Sequence, residues 1–231
     1  ATYSQLITEG AVPVTPRSLP SALGVLDAAY TRSTVEFTAP LEQRLGRARA
    51  KAWASRILHE DAERDDGFHP AYLEWEFGRE SNPVDLGGLL LAGRVDRIDV
   101  DGAGNAVVVD YKRSIGPQFG AEKILSEGRV QLPLYMTAVS SRLELNTVAG
   151  LYRGLSDVGE RGVVQCGSSV AERASRRDVL EHPEMHRLLE AVLELAAEAA
   201  AGMRAGEIRP CPRTDGACKY CPVRRSCGSA R

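Results

Sequence analysis

Three charged residues have the types and spacing of a divalent metal site. Asp110 and Lys112 are two residues apart, so in a strand both side chains lie on one face, and Asp96 occurs in the preceding strand-like segment. Carboxylates are ligands that Mg²⁺ prefers in proteins. A lysine beside them can hold a water molecule or a phosphate oxygen. The pattern predicts a divalent metal site, for Mg²⁺ or Mn²⁺, with an adjacent cation.

The segments that carry these residues are predicted to pair as a hairpin. They flank the glycine-rich turn Asp101-Gly102-Ala103-Gly104. If the turn is centred on its third residue, Asp96 lies directly opposite Asp110. Opposed carboxylates, with Cβ atoms ~4.5–5.5 Å apart, destabilise a hairpin unless a cation offsets them. The alternative is an exposed hairpin whose charges face water, as we expect for Asp99 and Asp101.

The rest of the chain alternates between helical and strand-like patterns. Residues 1–40 read as short helical pieces and loop. Helical spacing of apolar residues, such as Leu45 and Ile57 in the first, predicts helices over 41–64 and 186–204. A third helix is predicted over 128–143, with Pro133 near its first turn, where proline is tolerated. Alternation and apolar runs predict strands over 71–77, 89–100, 105–112, 147–155 and 161–165. The fold class expected is α/β.

Charge and cysteine are distributed unevenly. The 231 residues include 29 basic and 31 acidic side chains, a net charge of −2. Residues 201–231 hold seven Lys or Arg and two acids, which makes this tail +5 and the preceding body −7. No apolar run approaches the ~20 residues of a membrane span. No signal peptide is evident, so we expect a cytoplasmic protein without a membrane partner.

Four of the five cysteines lie in this basic tail: Cys211, Cys218, Cys221 and Cys227. In a cytoplasmic protein, such a cluster is more often a metal site than a disulfide framework. Four thiolates suit either a [4Fe–4S] cluster or tetrahedral Zn²⁺, and a tail without metal is the third possibility. We expect Cys166, at a strand end, to pack as a small apolar residue.

Several motifs together resemble the nuclease domain of AddB/RecB-type DNA-repair enzymes in the PD-(D/E)XK superfamily. They are Gly-Arg-Val-Asp-Arg-Ile-Asp at 93–99, Val-Val-Asp-Tyr-Lys at 108–112 and Gln-Leu-Pro-Leu-Tyr at 131–135. Residues 67–78 are similar to the segment before that hairpin in AddB. The tail, with Cys218-x2-Cys221-x5-Cys227, is similar to the end of the iron–sulfur members. The resemblance covers roughly residues 68–227.

The resemblance implies a restriction-endonuclease-like fold with a central mixed β-sheet flanked by helices. It assigns catalytic roles to Asp96, Asp110, Lys112, Gln131 and Tyr135. The metal ligands would be the carboxylates of Asp96 and Asp110 and the carbonyl of Tyr111. The i, i+4 spacing of Gln131 and Tyr135 puts both on one helical face toward the site.

The domain division that follows is a nuclease domain over 1–210, lacking its upstream start, and a Cys-rich iron–sulfur-type tail over 211–231. No cysteine precedes Cys166, so the family's first cluster ligand is missing, and Cys211 would have to substitute. His59 is a weak match to the family's upstream histidine. By analogy we favour a [4Fe–4S] cluster over zinc in the tail.

The function implied is a Mg²⁺-dependent DNA exonuclease within a helicase-nuclease that repairs double-strand breaks by recombination. The sequence has no Gly-x4-Gly-Lys-Ser/Thr phosphate loop, so the helicase motor would lie elsewhere on the full-length chain or on a partner subunit. The alternatives are a non-catalytic DNA-binding scaffold with a metal-binding tail, and a zinc-ribbon-like interaction domain.

Overall fold

The computed structural model describes residues 2–32, 40–78, 83–207, 209–212, 215–219, 221–224 and 226–227. The helices are α1 (Thr2–Thr8), α2 (Leu19–Arg32), α3 (Pro40–Glu63), α4 (Lys123–Glu127), α5 (Gln131–Leu143) and α6 (His182–Arg204). The strands are β1 (His69–Phe77), β2 (Val84–Asp85), β3 (Leu90–Leu91), β4 (Gly93–Val100), β5 (Asn105–Lys112), β6 (Asn146–Gly154), β7 (Glu160–Gln165) and β8 (Val179–Leu180). Short 3₁₀ turns cover Pro117–Phe119, Ser169–Glu172 and Asp215–Cys218.

The main sheet of the described residues has the strand order β1-β4-β5-β6-β7-β8. β5 runs parallel to β6, and β7 runs parallel to β8, while the other neighbours are antiparallel. The sheet is therefore mixed, and helices flank it, as expected from the sequence. The link from β5 to the parallel β6 contains α4 and α5, the usual form of a crossover between parallel strands.

Both faces of the central strand β5 are buried, which explains its continuous apolar run. Val108 belongs to a core shared with α5 and α6, and Val107 and Val109 belong to a smaller core on the opposite face. Strands buried on both faces lose the alternation of a half-buried strand. The same two-sided burial holds Asp110, which is only 4% exposed.

A third core joins the N-terminal helices, where Leu6, Leu26 and Leu58 are almost fully buried. The helix predicted over 41–64 is present as α3, but its predicted apolar face is only partly buried. Ile57 is 4% exposed, whereas Leu45 is 56% exposed. Only the C-terminal half of α3 therefore packs in the way that the periodicity predicts.

Two predicted helices begin elsewhere in the structure, and the last of them, predicted from residue 186, begins at His182. The helix predicted to begin at Gly128 begins at Gln131, because Gly128 has a φ of 70° and ends the short helix α4, which the sequence did not predict. Pro133 does lie in the first turn of α5, as predicted. The strand over 105–112 has the predicted limits. None of the helices in the described residues is long and apolar enough to cross a membrane.

Candidate active site

The hairpin of β4 and β5 has the register that the turn predicts. The pairs run from Val100 with Ala106 to Arg97 with Val109. One step further in this register, Asp96 would stand opposite Asp110, although the ladder itself ends at the pair of Arg97 with Val109. The backbone N–H of Tyr111 donates a hydrogen bond of 2.9 Å to Asp96 Oδ2. The two carboxylates therefore lie at the same end of the hairpin, where β5 leaves the sheet core.

Two polar side chains contact the Asp110 carboxylate, and only one of them is positively charged. Lys112 Nζ lies 2.5 Å from Asp110 Oδ2, and Gln131 Nε2 donates to Oδ1 at 2.8 Å. Burial raises the pKa of the Asp110 carboxyl, and the nearby charge of Asp96 raises it further. Lys112 and Gln131 act in the opposite direction, but the net pKa remains raised. The native site therefore disfavours the ionised carboxylate in the absence of a further cation.

Gln131, the first residue of α5, links the strand residues to the helix. Its Oε1 accepts a hydrogen bond from Lys112 Nζ at 3.4 Å, and its Nε2 lies 3.3 Å from the phenol oxygen of Tyr135. Gln131 and Tyr135 are one helical turn apart, so both lie on one face of α5. The structure therefore brings Asp96, Asp110, Lys112, Gln131 and Tyr135 into one connected group.

Two glycines let α5 approach the sheet closely. A Cβ atom on Gly93 would lie 2.9 Å from Phe77 and 3.1 Å from Tyr135. A Cβ atom on Gly150 would lie 2.7 Å from the sulfur of Met136. Phe77 also packs edge-on against the ring of Tyr135, with centroids 5.9 Å apart. Small residues on β4 and β6 thus position the helix that carries Gln131.

The residues present fit a divalent cation of the Mg²⁺ type. Asp110 Oδ2 is buried and accepts no hydrogen bond of normal geometry from the described residues, although Lys112 is close to it. Asp96 supplies a second carboxylate, and hard cations of this kind are commonly held by one or two carboxylates plus water and substrate phosphates. The described residues contain no group of three or more His, Cys, Asp or Glu side chains placed to hold a metal. The third protein ligand that the family resemblance implies is the carbonyl of Tyr111.

A buried ionic cluster on the opposite face of the hairpin was not predicted. Arg97, only 1% exposed, bonds both oxygens of Asp99, from Nε at 2.5 Å and from Nη2 at 2.7 Å. Asp61 on α3 receives bonds of 2.6 Å from both Arg97 and Arg153. The expectation that Asp99 faces water was wrong, because α3 covers this face and the carboxylate is 3% exposed. The sequence feature that could have indicated this cluster is the pair of opposite charges at Arg97 and Asp99, two residues apart and therefore on one face of β4.

The guanidinium groups determine the charge state of this cluster. Burial alone would raise the pKa of Asp61, but Arg97, Arg153 and Arg64 hold it well below its ordinary value. Tyr3 on α1 also donates a hydrogen bond to Asp61, and its ring lies 4.8 Å from the guanidinium carbon of Arg97. The cluster therefore joins the N-terminal helices to the strand that carries Asp96.

The cysteines do not all behave as the sequence suggested. Cys166 is exposed just beyond β7, so the expectation of apolar packing was wrong. Among the tail cysteines, one is exposed and three are half-buried: Cys211, and then Cys218, Cys221 and Cys227. Within the part of the tail that the structure describes, they are not assembled into a metal-binding group. His59 is an exposed residue of α3. The cluster in the tail remains a prediction.

The mixed sheet flanked by helices, with two carboxylates and a lysine at the end of its central hairpin, defines a restriction-endonuclease-like fold. The chain belongs to the PD-(D/E)XK nuclease superfamily, whose family model matches residues 4–228. A solved structure titled "Crystal structure of SSO0001" is similar at 15% identity and a TM-score of 0.31, covering 90% of this chain and 95% of the other. No curated protein matches the sequence.

Proposed function

We propose that this chain is a divalent-metal-dependent nuclease domain that hydrolyses phosphodiester bonds in DNA. The observation that carries the proposal is the connected group of Asp110, Lys112 and Gln131 beside Asp96, in a member of a nuclease superfamily. These are the side chains that phosphodiester hydrolysis needs: oxygen ligands for a cation, and a positive charge for the phosphate.

The carboxylates of Asp96 and Asp110 and the carbonyl of Tyr111 would hold the cation, Mg²⁺ or Mn²⁺. When bound, a cation of this type activates a water molecule, polarises the phosphate and neutralises charge on the leaving oxygen. The hydrogen bond from the Tyr111 N–H to Asp96 Oδ2 orients that carboxylate before the cation arrives. Burial of Asp110 keeps competing water away from the second carboxylate.

Lys112 provides the positive charge for the reacting phosphate. Its side chain is 32% exposed, so the ammonium group reaches the DNA while remaining next to Asp110. In that position it stabilises the negative charge that develops on the phosphate oxygens. Gln131 bonds both Lys112 and Asp110 and therefore sets the distance between them, and Tyr135 orients the amide of Gln131.

The finer assignment is to an AddB/RecB-type exonuclease domain of a helicase-nuclease that acts in recombinational repair of double-strand breaks. Its support is the ordered combination of the 93–99, 108–112 and 131–135 motifs with the Cys-rich tail. In this proposal the ATP-driven motor belongs to another part of the full-length protein or to a partner subunit. The +5 tail would favour DNA through its phosphates.

The proposal includes a [4Fe–4S] cluster in the tail, with Cys211 taking the place of the family's upstream ligand beside Cys218, Cys221 and Cys227. Iron and acid-labile sulfide are measured on protein purified without oxygen. About four iron and four sulfide per chain are expected for such a cluster. One equivalent of zinc without sulfide would contradict the cluster and support a zinc site.

The nuclease proposal is tested with linear single-stranded and double-stranded DNA in the presence of Mg²⁺ or Mn²⁺. Wild-type protein is expected to cleave, and Asp110→Ala and Lys112→Ala are expected to lose at least about a hundredfold in rate. Asp27→Ala and Lys51→Ala are matched controls, because these residues form a surface ion pair of 2.8 Å on α2 and α3. Equal cleavage by all variants would reject the site. DNA binding without any cleavage would support the scaffold alternative.

A further inference from the structure

Two aromatic rings form a wall next to the candidate active site. Tyr152 on β6 pairs with Asp110 on β5 and is 4% exposed. The half-buried ring of Phe119 packs against it, with centroids 4.9 Å apart. Burial, together with the charge of Asp110, raises the pKa of Tyr152 to about 12, so its phenol stays neutral. The wall is therefore an uncharged surface beside the carboxylates.

Each ring of this wall holds one cation. Lys112 Nζ lies 5.3 Å from the centroid of Tyr152, and the guanidinium carbon of Arg129 lies 5.2 Å from the centroid of Phe119. Cations within ~6 Å of a ring face are attracted by its electron density. The two side chains are 32% and 34% exposed, so both are anchored and both reach solvent. Arg129 therefore lies over the ring of Phe119 as Lys112 lies over the ring of Tyr152.

The chain of contacts limits the distance between the two cations. Lys112 and Arg129 are joined through two rings by the three contacts above, so they lie within about 15 Å of each other. One DNA strand carries a phosphate for each ~3.4 Å of helix axis, so this span corresponds to about four nucleotides or fewer. A strand positioned at Lys112 can therefore place another phosphate at Arg129.

The guanidinium of Arg129 has donors left for such a phosphate. Among the described residues it donates from Nε to the Glu127 carboxylate, at 3.1 Å, and its two Nη groups make no other hydrogen bond. Arginine matches phosphate oxygens with paired N–H groups. Glu127 is a half-buried carboxylate that also pairs with Lys123, and it occupies Arg129 as a phosphate would.

We propose that Arg129, held on Phe119, binds a DNA backbone phosphate within a few nucleotides of the one at Lys112, and that Glu127 is its competitor in the free protein. The proposal rests on the proposed nuclease function and adds a substrate-binding position to it. Arg129 would set the affinity and register of the strand, while the bond-breaking step stays with Asp96, Asp110 and Lys112.

The experiment measures KM and kcat for a short single-stranded oligonucleotide as the salt concentration is varied. Arg129→Gln is expected to raise KM about tenfold with little change in kcat, because a charged hydrogen bond is lost on binding. The slope of log KM against log salt should become shallower by about 0.7, the value for one phosphate contact on a single strand. Arg129→Lys should retain the salt slope, and Glu127→Gln should lower KM.

The matched control is Arg187→Gln, an exposed arginine of α6 that bonds the carbonyl of Pro183 in its own helix. Its KM and salt slope should equal those of wild type. An Arg129→Gln protein with unchanged KM and slope would overturn the phosphate site while leaving the nuclease function intact. A wild-type protein without cleavage in Mg²⁺ or Mn²⁺ would overturn the nuclease function. Fluorescence anisotropy with the same oligonucleotide would then still test the binding role of Arg129.

Discussion

The guanidinium of Arg97 donates a hydrogen bond of 3.1 Å to the phenol oxygen of Tyr111. The backbone N–H of the same tyrosine donates to Asp96 on the other face of the hairpin. Tyr111 therefore connects the buried ionic cluster with the carboxylate proposed to hold the metal. The carbonyl of Tyr111, the proposed third ligand, belongs to the residue that this cluster holds in place.

Removing the Tyr111 hydroxyl tests this connection. Tyr111→Phe is expected to lower the free energy of unfolding by about 1.5–3 kcal/mol, because a hydrogen bond from a buried charged group is lost. Tyr72→Phe is the matched control, since Tyr72 is a β1 tyrosine that is 37% exposed, and its effect should stay within about 0.5 kcal/mol. The measurement is urea unfolding followed by circular dichroism. Equal stability of the two variants would show that Asp61 and Asp99 satisfy Arg97 without the phenol.

Neutralising Asp61 should destabilise the fold strongly at neutral pH. Asp61→Asn leaves Arg97 and Arg153 buried with less opposing charge, and breaking a buried ion pair in this way costs about 3–5 kcal/mol. Urea unfolding at pH 7 measures the loss. Asp66→Asn is a useful comparison, because its ion pair with Arg173 lies closer to the surface and should matter less. A loss below that of Asp66→Asn would mean that the cluster contributes little to stability.

The stability difference between wild type and Asp61→Asn should depend on pH, and the direction of that dependence follows from the lowered pKa of Asp61. The pKa of Asp61 is lower in the folded protein than in the unfolded chain, so its contribution to stability is present above about pH 4, the ordinary aspartate value. The contribution is lost as pH falls below that value toward the lowered folded pKa. The stability gap between wild type and Asp61→Asn should therefore narrow as the pH falls below about 4, and a gap that widens in acid would contradict the proposed ion pairs.

Asp110 should behave in the opposite way, because its pKa is raised in the folded protein. The ionised carboxylate weakens the metal-free fold, so Asp110→Asn is expected to be as stable as wild type or more stable at pH 7. Saturating Mg²⁺ should stabilise wild type by about 2.7 kcal/mol at a hundredfold excess over Kd, and should leave the variant unchanged. Thermal unfolding with and without Mg²⁺ measures both effects. Asp27→Asn should respond to Mg²⁺ like wild type, and a matching response from Asp110→Asn would exclude Asp110 as a ligand.

A substitution that adds a side chain at Gly93 tests whether the close packing of α5 against β4 matters for the site. Gly93→Ala would push a methyl group into Phe77 and Tyr135, so we expect a loss of about 1–3 kcal/mol in unfolding free energy and a lower cleavage rate. Gly102→Ala is the matched control, because a Cβ atom there meets no other atom within 4 Å. Unfolding and cleavage are measured on both proteins. A fully active Gly93→Ala protein would show that the position of Tyr135 is not critical.

The hairpin was predictable from sequence because its information is local. Period-two alternation placed Asp110 and Lys112 on one face, and the glycine-rich turn set the register in which the strands pair, from Val100 with Ala106 to Arg97 with Val109. The contact of Gln131 with this group was reachable only through the family resemblance, since nothing local shows where α5 docks. The burial of Asp99 depends on α3, which lies far away in the sequence.

The aromatic wall could not have been predicted for the same reason. Its rings come from a 3₁₀ turn and from β6, and the parallel register of β5 with β6 determines that Tyr152 stands beside Asp110. Parallel strands are joined by long connections, and no turn residue specifies their register. The packing of Phe119 on Tyr152 then depends on the docking of the whole crossover.

The mixed pairing of β5 has a consequence for the order in which the site forms. Its antiparallel partner β4 is joined by a short turn, whereas its parallel partner β6 follows a long crossover that carries α4 and α5. Contacts between distant parts of a chain form more slowly than local ones, because more chain entropy is lost in closing the loop. The two carboxylates would meet when the hairpin closes, before Gln131 and Tyr152 arrive. The pairing of the strands that carry the two carboxylates thus depends on local contacts, whereas the contact of Asp110 with Gln131 depends on the long crossover.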